Sequence, residues 1–297
     1  MELLGRYMNG NVRTMIFSDG TKVRETNDDE FKPAYAENMD IKICNRCDMG
    51  CKFCHEGSTP DGKIGDILNE KFVETLHPYQ EVALGGGNVL EHPNLIPFLQ
   101  KLKEKKVIAN ITLNQVHFEK NIELVENIIN EKLIYGLGVS LVNPTTEFIE
   151  KISKFPNAVI HVINGVLKPS DVEALENKGL KMLILGYKNL RRGSEWLAED
   201  HENIVVKQMW LKENLADIVN KFKVLSFDNL AIEQLEVQKL LSKEEWDEFY
   251  AGDDGTNTYY IDMVERKFAR SSTAPFDKRY DLLDSVDEMF NVIKNEK

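Results

Sequence analysis

The fold is decided by residues 41–57, which read IKICNRCDMGCKFCHEG. A short apolar strand comes first, and four cysteines then follow with two, three and two residues between neighbours: Cys44, Cys47, Cys51 and Cys54. The chain has four cysteines in all, and cysteines this close together cannot form disulfides that join distant segments. Soft thiolates at such short spacing favour zinc or an iron–sulfur cluster. The stretch therefore predicts a strand that leads directly into a metal-binding loop.

An iron–sulfur cluster fits the spacing of these cysteines better than zinc does. Zinc sites usually separate two CxxC pairs by a longer stretch, because two turns must converge on one tetrahedral ion. In a compact loop three thiolates reach three corners of one cubane, and Gly50 permits the tight bend. Structural zinc and unliganded or reactive thiols remain the alternatives. Cys44 stands at the end of the predicted strand, which favours a role as a small apolar residue in the wall of the barrel. The alternative is that Cys44 is a fourth ligand of the cluster.

Beyond the loop, short apolar strands alternate with stretches of helical spacing in about six β/α units. The predicted strands are 41–44, 81–84, 107–113, 135–141, 158–163 and 181–185. The predicted helices are 67–76, 95–105, 122–131, 147–153 and 170–177, with Ser170 as the N-cap of the last. The pattern indicates an α/β fold, a partial (β/α)6 TIM-like barrel, with its reactive groups on the loops after the strands.

The two ends of the chain do not follow this alternation. Residues 12–25 predict a hairpin that turns at Ser18, Asp19 and Gly20, because Asp-Gly supplies positive-φ residues. Residues 225–235 add a candidate strand, 259–272 a hairpin and 279–294 a closing amphipathic helix. We therefore divide the chain into an N-terminal β-hairpin appendage (1–37), the partial barrel (38–190) and a C-terminal α+β extension that closes the barrel and substrate site (191–297).

Composition narrows the class of protein. The 297 residues suit one large domain, and 42% hydrophobic with 29% charged residues is typical of a folded globular chain. A net charge of −12 disfavours general nucleic-acid binding. The first residues lack the apolar run of a signal peptide, and no stretch has the apolar length of a membrane span. We expect a cytoplasmic protein that does not enter membranes.

The cysteine loop resembles the hallmark of the radical S-adenosylmethionine (SAM) superfamily, CxxxCxxC with an aromatic residue before the last cysteine. Cys47, Cys51, Phe53 and Cys54 match it. The resemblance implies that the three thiolates hold a 4Fe-4S cluster and that SAM chelates its fourth iron. Reductive cleavage of SAM then yields a 5'-deoxyadenosyl radical that abstracts a substrate hydrogen. It also implies an external one-electron reductant such as flavodoxin or ferredoxin.

A glycine run after the second predicted strand resembles the superfamily's GGE motif, which binds the amino group of SAM. It consists of Gly85, Gly86 and Gly87, and Asn88 stands where the motif has an acidic residue. The Asn88 amide oxygen can accept a hydrogen bond from an ammonium group but adds no charge. A simple turn is the alternative explanation of the glycines.

Further cofactor contacts are expected by resemblance at the ends of later strands. These are Asn114, Ser140, and Asn164 with Gly165, while Gly186 and Tyr187 end the sixth strand. Phe53 joins the cofactor-binding set as the aromatic residue of the motif. A purely structural role at a strand end is the alternative for each position. His55 and Glu56 either touch cofactor or substrate or orient the loop by hydrogen bonds.

The substrate is less well defined. No cysteine follows Cys54, so the auxiliary clusters of SPASM-type maturases cannot be built. We expect the substrate to be a small or nucleotide-like molecule first, and a peptide or protein second. Two functions of another class compete with an enzyme: an iron–sulfur electron carrier and a zinc-stabilised binding module. Arg191 and Arg192 either bind a carboxylate or phosphate or form a solvated pair. The remaining candidates, whose alternative role is capping and turn bonding, are Asp228, Asn229, Arg270, Ser271 and Ser272.

Overall fold

Ten strands form one sheet in the computed structural model, which describes residues 2–296. In chain order they are β4 (Asn38–Cys44), β5 (Glu81–Gly86), β6 (Ile108–Asn114), β7 (Gly136–Ser140), β8 (Ala158–Ile163), β9 (Lys181–Leu185), β10 (Val224–Phe227), β11 (Thr258–Asp262), β12 (Lys267–Ala269) and β13 (Tyr280–Asp281). Strands β4 to β10 lie side by side in sequence order and run parallel. On the outer side of β4, β11 pairs with it in parallel, and β12 and β13 follow antiparallel.

The sheet curls around an internal cavity. Alternate residues of each strand face opposite sides of a sheet, and in β4 Met39 and Ile43 are buried in the apolar core while Asp40 and Lys42 line the cavity. Ser140 of β7 and Leu185 of β9 line the same cavity. Within residues 2–296 the end strands β10 and β13 are not paired with each other. The sheet is therefore open, which agrees with the partial barrel expected from the sequence.

Helices connect the strands and cover the outer face of the sheet. They are α1 (Leu95–Glu104), α2 (Gln115–Lys120), α3 (Ile122–Asn130), α4 (Thr146–Ile152), α5 (Pro169–Leu175), α6 (Arg192–Glu199), α7 (His201–Val219), α8 (Asn229–Leu235), α9 (Lys243–Phe249) and α10 (Val286–Lys294). Short 3-10 turns span Lys71–Thr75, Val89–Glu91, Val237–Leu240 and Phe276–Lys278. The strands and most helices predicted in residues 81–185 are confirmed to within one or two residues.

Two details of the predicted helices are wrong. The stretch 67–76 contains only the 3-10 turn Lys71–Thr75, because the Asp66 carboxylate accepts bonds from Asn69 and favours a local turn over helix. Ser170 lies inside α5, and Lys168 is the N-cap. Pro169 sets this boundary, since proline is favoured at the first position of a helix.

The C-terminal helix packs where the first β/α unit has no helix of its own. Of the closing helix predicted over 279–294, only 286–294 is helical, as α10, and Tyr280–Asp281 forms β13 instead. Helix α10 lies beside the 3-10 turn after the cysteine loop. The Val286 amide donates to Thr75 Oγ1 (3.0 Å), and Tyr259 of β11 donates to the Val286 carbonyl (3.1 Å). The last helix of the chain thus completes the outer layer over the first strand of the sheet.

The N-terminal segment forms a separate three-stranded antiparallel sheet, β1 (Leu3–Asn9), β2 (Val12–Phe17) and β3 (Lys22–Glu25). The predicted hairpin and its turn are confirmed, whereas β1 was not predicted. The turn lies at the amino-terminal edge of the parallel strands, where Phe17 and Gly20 line the cavity. Asn157, which precedes β8, donates to the Ser18 carbonyl (2.7 Å). This small sheet therefore covers one end of the cavity.

None of the helices within the described part of the chain combines the length and the apolar character needed to cross a membrane.

Replacing Glu37 with glutamine tests how the N-terminal sheet is attached. Glu37 is 2% exposed and accepts from Arg24 Nε (2.8 Å) and Nη2 (2.6 Å), with Lys22 Nζ at 3.6 Å. Glu37→Gln leaves Arg24 without its carboxylate, whereas Lys22 keeps its pair with Glu81, and we expect the free energy of unfolding to fall by about 3 kcal/mol. Urea denaturation measures the change. Glu25→Gln breaks the exposed Arg13–Glu25 pair (63% and 53% exposed) and is expected to cost less than about 1 kcal/mol. Equal losses in the two variants would contradict a buried attachment.

Candidate active site

Three of the four thiols share one wall of the cavity. Cys47, Cys51 and Cys54 all line it, are partly buried and are free thiols. Burial raises the pKa of Cys47 and of Cys51, and the neighbouring thiols raise both further. Such mutual repulsion between thiolates favours a bound cation, which reverses it. Gly50, at φ +58°, provides the bend between the first two of these cysteines.

Backbone hydrogen bonds hold the cysteine loop (residues 44–57) from both sides. The Cys47 amide donates to the Thr59 carbonyl (2.8 Å), in the segment that follows the loop. On the other side the Gly87 amide donates to the Cys44 carbonyl (2.8 Å), and the Asn88 amide to the Arg46 carbonyl (2.7 Å). The loop is therefore fixed by the ends of two neighbouring parallel strands, β4 and β5.

Cys44 is separated from the other thiols. Its side chain is fully buried, and its Sγ donates to the Asn88 carbonyl at 3.3 Å. Burial raises the pKa of Cys44 to about 11. It does not belong to the cavity lining, which agrees with a wall position at the strand end.

The three glycines of the β5 segment do different things. A Cβ on Gly86 would collide with the Cys44 carbonyl oxygen, and one on Gly87 with the Arg46 carbonyl oxygen. Gly86 also has φ +112°, a conformation that other residues avoid. Gly85 lines the cavity, and a Cβ there would meet nothing within 4 Å. Gly86 and Gly87 therefore allow the backbone of the cysteine loop to pack closely against this segment, and Gly85 leaves space for a ligand.

The other predicted cofactor residues divide into two groups. Asn114, Ser140 and Phe53 line the cavity together with the glycines. Asn88 instead caps the following 3-10 turn by accepting from the Leu90 amide (3.2 Å). Asn164 is 2% exposed and donates to Gln234 Oε1 (3.0 Å). Neither of these two asparagines is part of the cavity lining.

A histidine that the sequence reasoning missed lies beside Cys47, the first of the three cavity-lining cysteines. His117 of α2 lines the cavity, and its Nε2 lies 2.7 Å from Asp48 Oδ1. One ligand atom each from Cys47, Asp48 and His117 lie within 4.8 Å of one another. Because His117 is separated from the loop by some 60 residues, only the folded chain reveals this neighbour.

A buried ionic network under the loop was also not predicted. Lys42 of β4 is 2% exposed, and its Nζ lies 2.7 Å from Glu56 Oε2 and 3.3 Å from Asp262 Oδ2. Tyr260 donates to Glu56 at 3.3 Å, and Arg279 Nη1 lies 3.5 Å from Asp262 Oδ2. Lys42 and Asp262 are direct partners across the β4–β11 pair. The network connects the loop to strands that lie at opposite ends of the sequence.

The charges of this network are stabilised in the folded state. Burial alone would raise the pKa of Glu56, but the adjacent His55 and the Lys42 ammonium outweigh it and hold the pKa well below its usual range. Burial, aided by the Lys188 charge, lowers the pKa of His55. Glu56 is therefore ionised at neutral pH, and its role is to hold the loop against Lys42.

Arg191 and Arg192 both donate hydrogen bonds to the backbone of the cysteine loop. Arg192 Nε donates to the Cys51 carbonyl (3.0 Å) and its Nη1 to the Ser58 carbonyl (2.9 Å). Arg191 donates to the Glu56 carbonyl. Carbonyl oxygens of the cysteine loop supply their acceptors, which neither alternative predicted.

Of the five candidate residues predicted in the C-terminal region, two line the cavity and three do not. Asp228 and Ser272 line the cavity, and Ser272 Oγ accepts from Lys188 Nζ (2.9 Å). Asp228 also caps α8 by accepting from the Ala231 amide (2.8 Å). The other three bond elsewhere in this region: Asn229 to Asp254, Arg270 to the Asp254 carbonyl, and Ser271 to Thr273.

The cavity has a volume of about 720 Å³, within the range of about 300–1,000 Å³ typical of small-molecule sites. Its lining includes the three thiols, Gly85, Asn114 and Ser140, and also Lys188, Asp228, Ser272 and Asp40. Three soft donors beside open space fit a metal group that keeps a position for a further ligand.

Comparison with known proteins gives matches among solved structures. Neither a protein-family model nor a curated protein matches the chain. Streptococcus suis SuiB bound to precursor peptide SuiA aligns with a TM-score of 0.57 at 14% identity, covering 89% of this chain and 68% of SuiB. SuiB bound to S-adenosylmethionine aligns with a TM-score of 0.51 at 14% identity, covering 80% of this chain and 60% of SuiB. This likeness shows the fold.

Replacing Lys42 with methionine tests the ionic network. The change leaves the buried carboxylates of Glu56 and Asp262 without their shared cation, and we expect unfolding to become easier by roughly 3–5 kcal/mol. Chemical denaturation at pH 7 measures this. The matched control Lys71→Met breaks an exposed pair with Asp284 (76% and 69% exposed) and is expected to cost less than about 1 kcal/mol.

The pH dependence provides a second measure of the same change. Since the folded-state pKa of Glu56 is lowered, its stabilisation is fully present above the unfolded value of about 4.3 and is lost as pH falls toward the folded value. Lys42→Met removes part of that lowering, so acidification below about pH 4.3 should cost the variant less stability than it costs the parent. Identical acid profiles would contradict the coupling of Lys42 to Glu56.

Proposed function

We propose that the protein is a radical SAM enzyme that binds one 4Fe-4S cluster through Cys47, Cys51 and Cys54. One observation carries the proposal: the three thiols and the open space at Gly85 face the same cavity, where β4 and β5 end side by side. In parallel α/β folds ligands bind at the carboxyl ends of the strands. Four free cysteines suit a reducing compartment, and we assign the enzyme to the cytoplasm.

When bound, the cluster and SAM would supply a 5'-deoxyadenosyl radical able to abstract hydrogen from a substrate. The chain itself binds, orients and excludes solvent. The ionic pair of Lys42 and Glu56 holds the loop that carries the ligands. Phe53 contributes an apolar surface to the cavity and packs against Trp196, with ring centroids 6.0 Å apart.

We assign the SAM site to the part of the cavity beside the loop. Gly85 permits close approach of the backbone, and the side chains of Asn114 and Ser140 offer hydrogen-bonding groups. Gly86 and Gly87 contribute by shaping this surface. The capping role of Asn88 and the Gln234 partner of Asn164 reduce the support for direct contacts from these two residues.

We assign the substrate to the other part of the cavity, which residues 191–297 help to close. Asp40 faces the cavity and has no hydrogen bond or ion pair with any other side chain in residues 2–296, and burial raises its pKa. The Lys188 charge is close enough to Asp40 to oppose this rise in its pKa. A ligand that carries an ammonium, guanidinium or other donor group would satisfy the Asp40 carboxylate. Asp40 is the specificity residue of this proposal.

The chemical class of the substrate has two candidates. A small or nucleotide-like molecule fits the cavity volume of about 720 Å³. Modification of a peptide is favoured by the fold of SuiB, whose structure with a precursor peptide aligns with 89% of this chain. A peptide could insert one side chain into the cavity while the rest stays outside.

A zinc-stabilised binding module is the rival of another class. His117 lies near Cys47 and could complete a set of three cysteines and one histidine, which is a common structural zinc site. However, His117 Nε2 is already hydrogen-bonded to the Asp48 carboxylate. A structural zinc site also does not explain the open space at Gly85. An electron carrier that holds a cluster without cleaving SAM is the remaining rival.

Anaerobic reconstitution with iron and sulfide tests the cluster. We expect a 4Fe-4S signal in the dithionite-reduced EPR spectrum that changes on addition of SAM, together with formation of 5'-deoxyadenosine. Serine at Cys47, Cys51 or Cys54 should abolish bound iron, because each removes one of three soft donors. Cys44→Ser is the matched control and should keep the cluster, since Cys44 lies outside the cavity lining.

The alternative outcomes are distinct. A colourless protein with one equivalent of zinc, lost in His117→Ala, would replace the proposal with the zinc module. A cluster whose spectrum is indifferent to SAM, with no 5'-deoxyadenosine formed, would indicate an electron carrier.

Cell extract can distinguish the two substrate classes. The enzyme with SAM and reductant should form 5'-deoxyadenosine faster when an extract fraction contains its substrate. Loss of this stimulation after proteinase K treatment of the fraction would identify a peptide, and its survival a small molecule. Asp40→Asn should weaken the stimulation about tenfold or more, because a charge-assisted bond to the substrate is lost. The unstimulated rate of SAM cleavage should not change, and a parallel fall in that rate would contradict the assignment of Asp40 to substrate.

A further inference from the structure

Two consecutive arginines after β9 bind the backbone of the cysteine loop. We call Arg191 and Arg192 the arginine clamp. Arg192 spans the loop by donating to the carbonyls of Cys51 (3.0 Å) and Ser58 (2.9 Å). Arg191 donates to the Glu56 carbonyl between these two points. A planar guanidinium holds two acceptors in a fixed geometry, which a lysine ammonium does not.

The clamp is held in an unfavourable backbone conformation. Arg191 has φ +49° and ψ −127°, which non-glycine residues avoid. The turn is fixed by the Gly193 amide, which donates to the Leu190 carbonyl (3.0 Å), and by Tyr187, which donates to the Gly193 carbonyl (2.8 Å). A Cβ on Gly193 would lie 2.5 Å from the Lys188 carbonyl oxygen. Strain that the surroundings maintain at such a site points to a functional constraint.

The two arginines differ in how their charge is balanced. Arg191 Nη1 lies 3.9 Å from Glu56 Oε2, so a carboxylate offsets its charge. Arg192 has no carboxylate within ion-pair distance among residues 2–296, and its partners are carbonyl oxygens. Its Nε lies 3.0 Å from the Cys51 carbonyl oxygen, in the backbone of one of the three cysteines to which we assign the cluster. A cation without a carboxylate partner therefore lies against the backbone of a proposed ligand residue.

We propose that Arg192 is a positioning residue for the cluster, which orders the cysteine loop before metal binds and stabilises the reduced cluster by its positive charge. This rests on the proposed function for the cluster, whereas the ordering of the loop does not. A positive charge near an iron–sulfur cluster favours the state with the additional electron, and so raises the reduction potential. Arg191 orders the turn between the two carbonyls that Arg192 binds.

Three variants of the full-length chain separate geometry from charge. Arg192→Met removes the positive charge and the hydrogen bonds to the carbonyls of Cys51 and Ser58. Arg192→Lys keeps the charge but cannot bind the two carbonyls together. Lys207→Met is the matched control: its Nζ lies 5.9 Å from the centre of the Trp196 ring, on the neighbouring helix α7, and it bonds no loop carbonyl. Hydrogen exchange of loop amides is measured on the cluster-free protein, and the midpoint potential on the reconstituted protein by EPR-monitored titration.

We expect loop amides 47–57 to exchange about tenfold or more faster in Arg192→Met and Arg192→Lys than in the parent, with β6 and α1 unchanged. The midpoint potential should become more negative in Arg192→Met and stay close to the parent value in Arg192→Lys. Lys207→Met should match the parent in both measurements. Unchanged loop exchange in Arg192→Met would overturn the ordering role, and an unchanged potential would overturn the electrostatic role.

Failure of the underlying function has a different signature. A chain that binds no cluster gives no potential to titrate, yet the exchange of its cluster-free loop still tests the clamp. General misfolding of Arg192→Met would increase exchange in β6 and α1 as well, and Arg192→Lys then decides the ordering role.

Discussion

The salt bridges of Lys42 with Glu56 and Asp262 are the constraint on which the site depends. They join the cysteine loop, the first parallel strand and β11 at a point that is almost fully buried. Three charged groups out of water are unfavourable unless each has a partner, and here every group has one. The network therefore specifies one arrangement of the loop relative to the sheet. The backbone hydrogen bonds from Gly87 and Thr59 then position the segments that carry the thiols.

The loop is held by contacts of different chemical kinds on its different sides. Charged side chains lie beneath it, glycine backbone packs beside it, and guanidinium groups bind its carbonyls from outside. The thiols are left to face the cavity. A loop whose backbone is satisfied in this way can keep soft, mutually repelling donors together without metal.

Local features of the sequence predicted much of the fold. The strands and helices of the β/α units have periodic apolar residues, and the Asp-Gly turn between β2 and β3 has its own signature. The helix expected over 67–76 failed because the bond from Asn69 to the Asp66 carboxylate is invisible to periodicity. The cysteine loop could be interpreted as a candidate metal site because Cys47, Cys51 and Cys54 lie within eight residues of one another.

Features that depend on distant pairing could not be predicted. Asp262 reaches Lys42 across 220 residues, only because β11 joins the sheet beside β4. His117 and the arginine clamp face the loop for the same reason, since their partners are set by the topology of the sheet. The acceptors of Arg192 are backbone carbonyls, and a residue pattern does not show which carbonyls lack a partner. Asn88 looked like a cofactor contact by position and proved to be a cap.

The pairing of β4 with β11 has a consequence for how the protein is made. The cysteines lie early in the chain, but Asp262, Tyr260 and Arg279, which complete the network beneath their loop, are near its end, and α10 covers the adjoining 3-10 turn. While the ribosome is still translating residues 60–260, the loop lacks these contacts, and a nascent chain can form only the structure whose partners have already emerged. The cysteine loop therefore reaches its final shape only when the C-terminal segment has folded onto it. In the function proposed above, cluster delivery would then follow completion of the chain, and a protein truncated before Asp262 would lack the network beneath the three thiols.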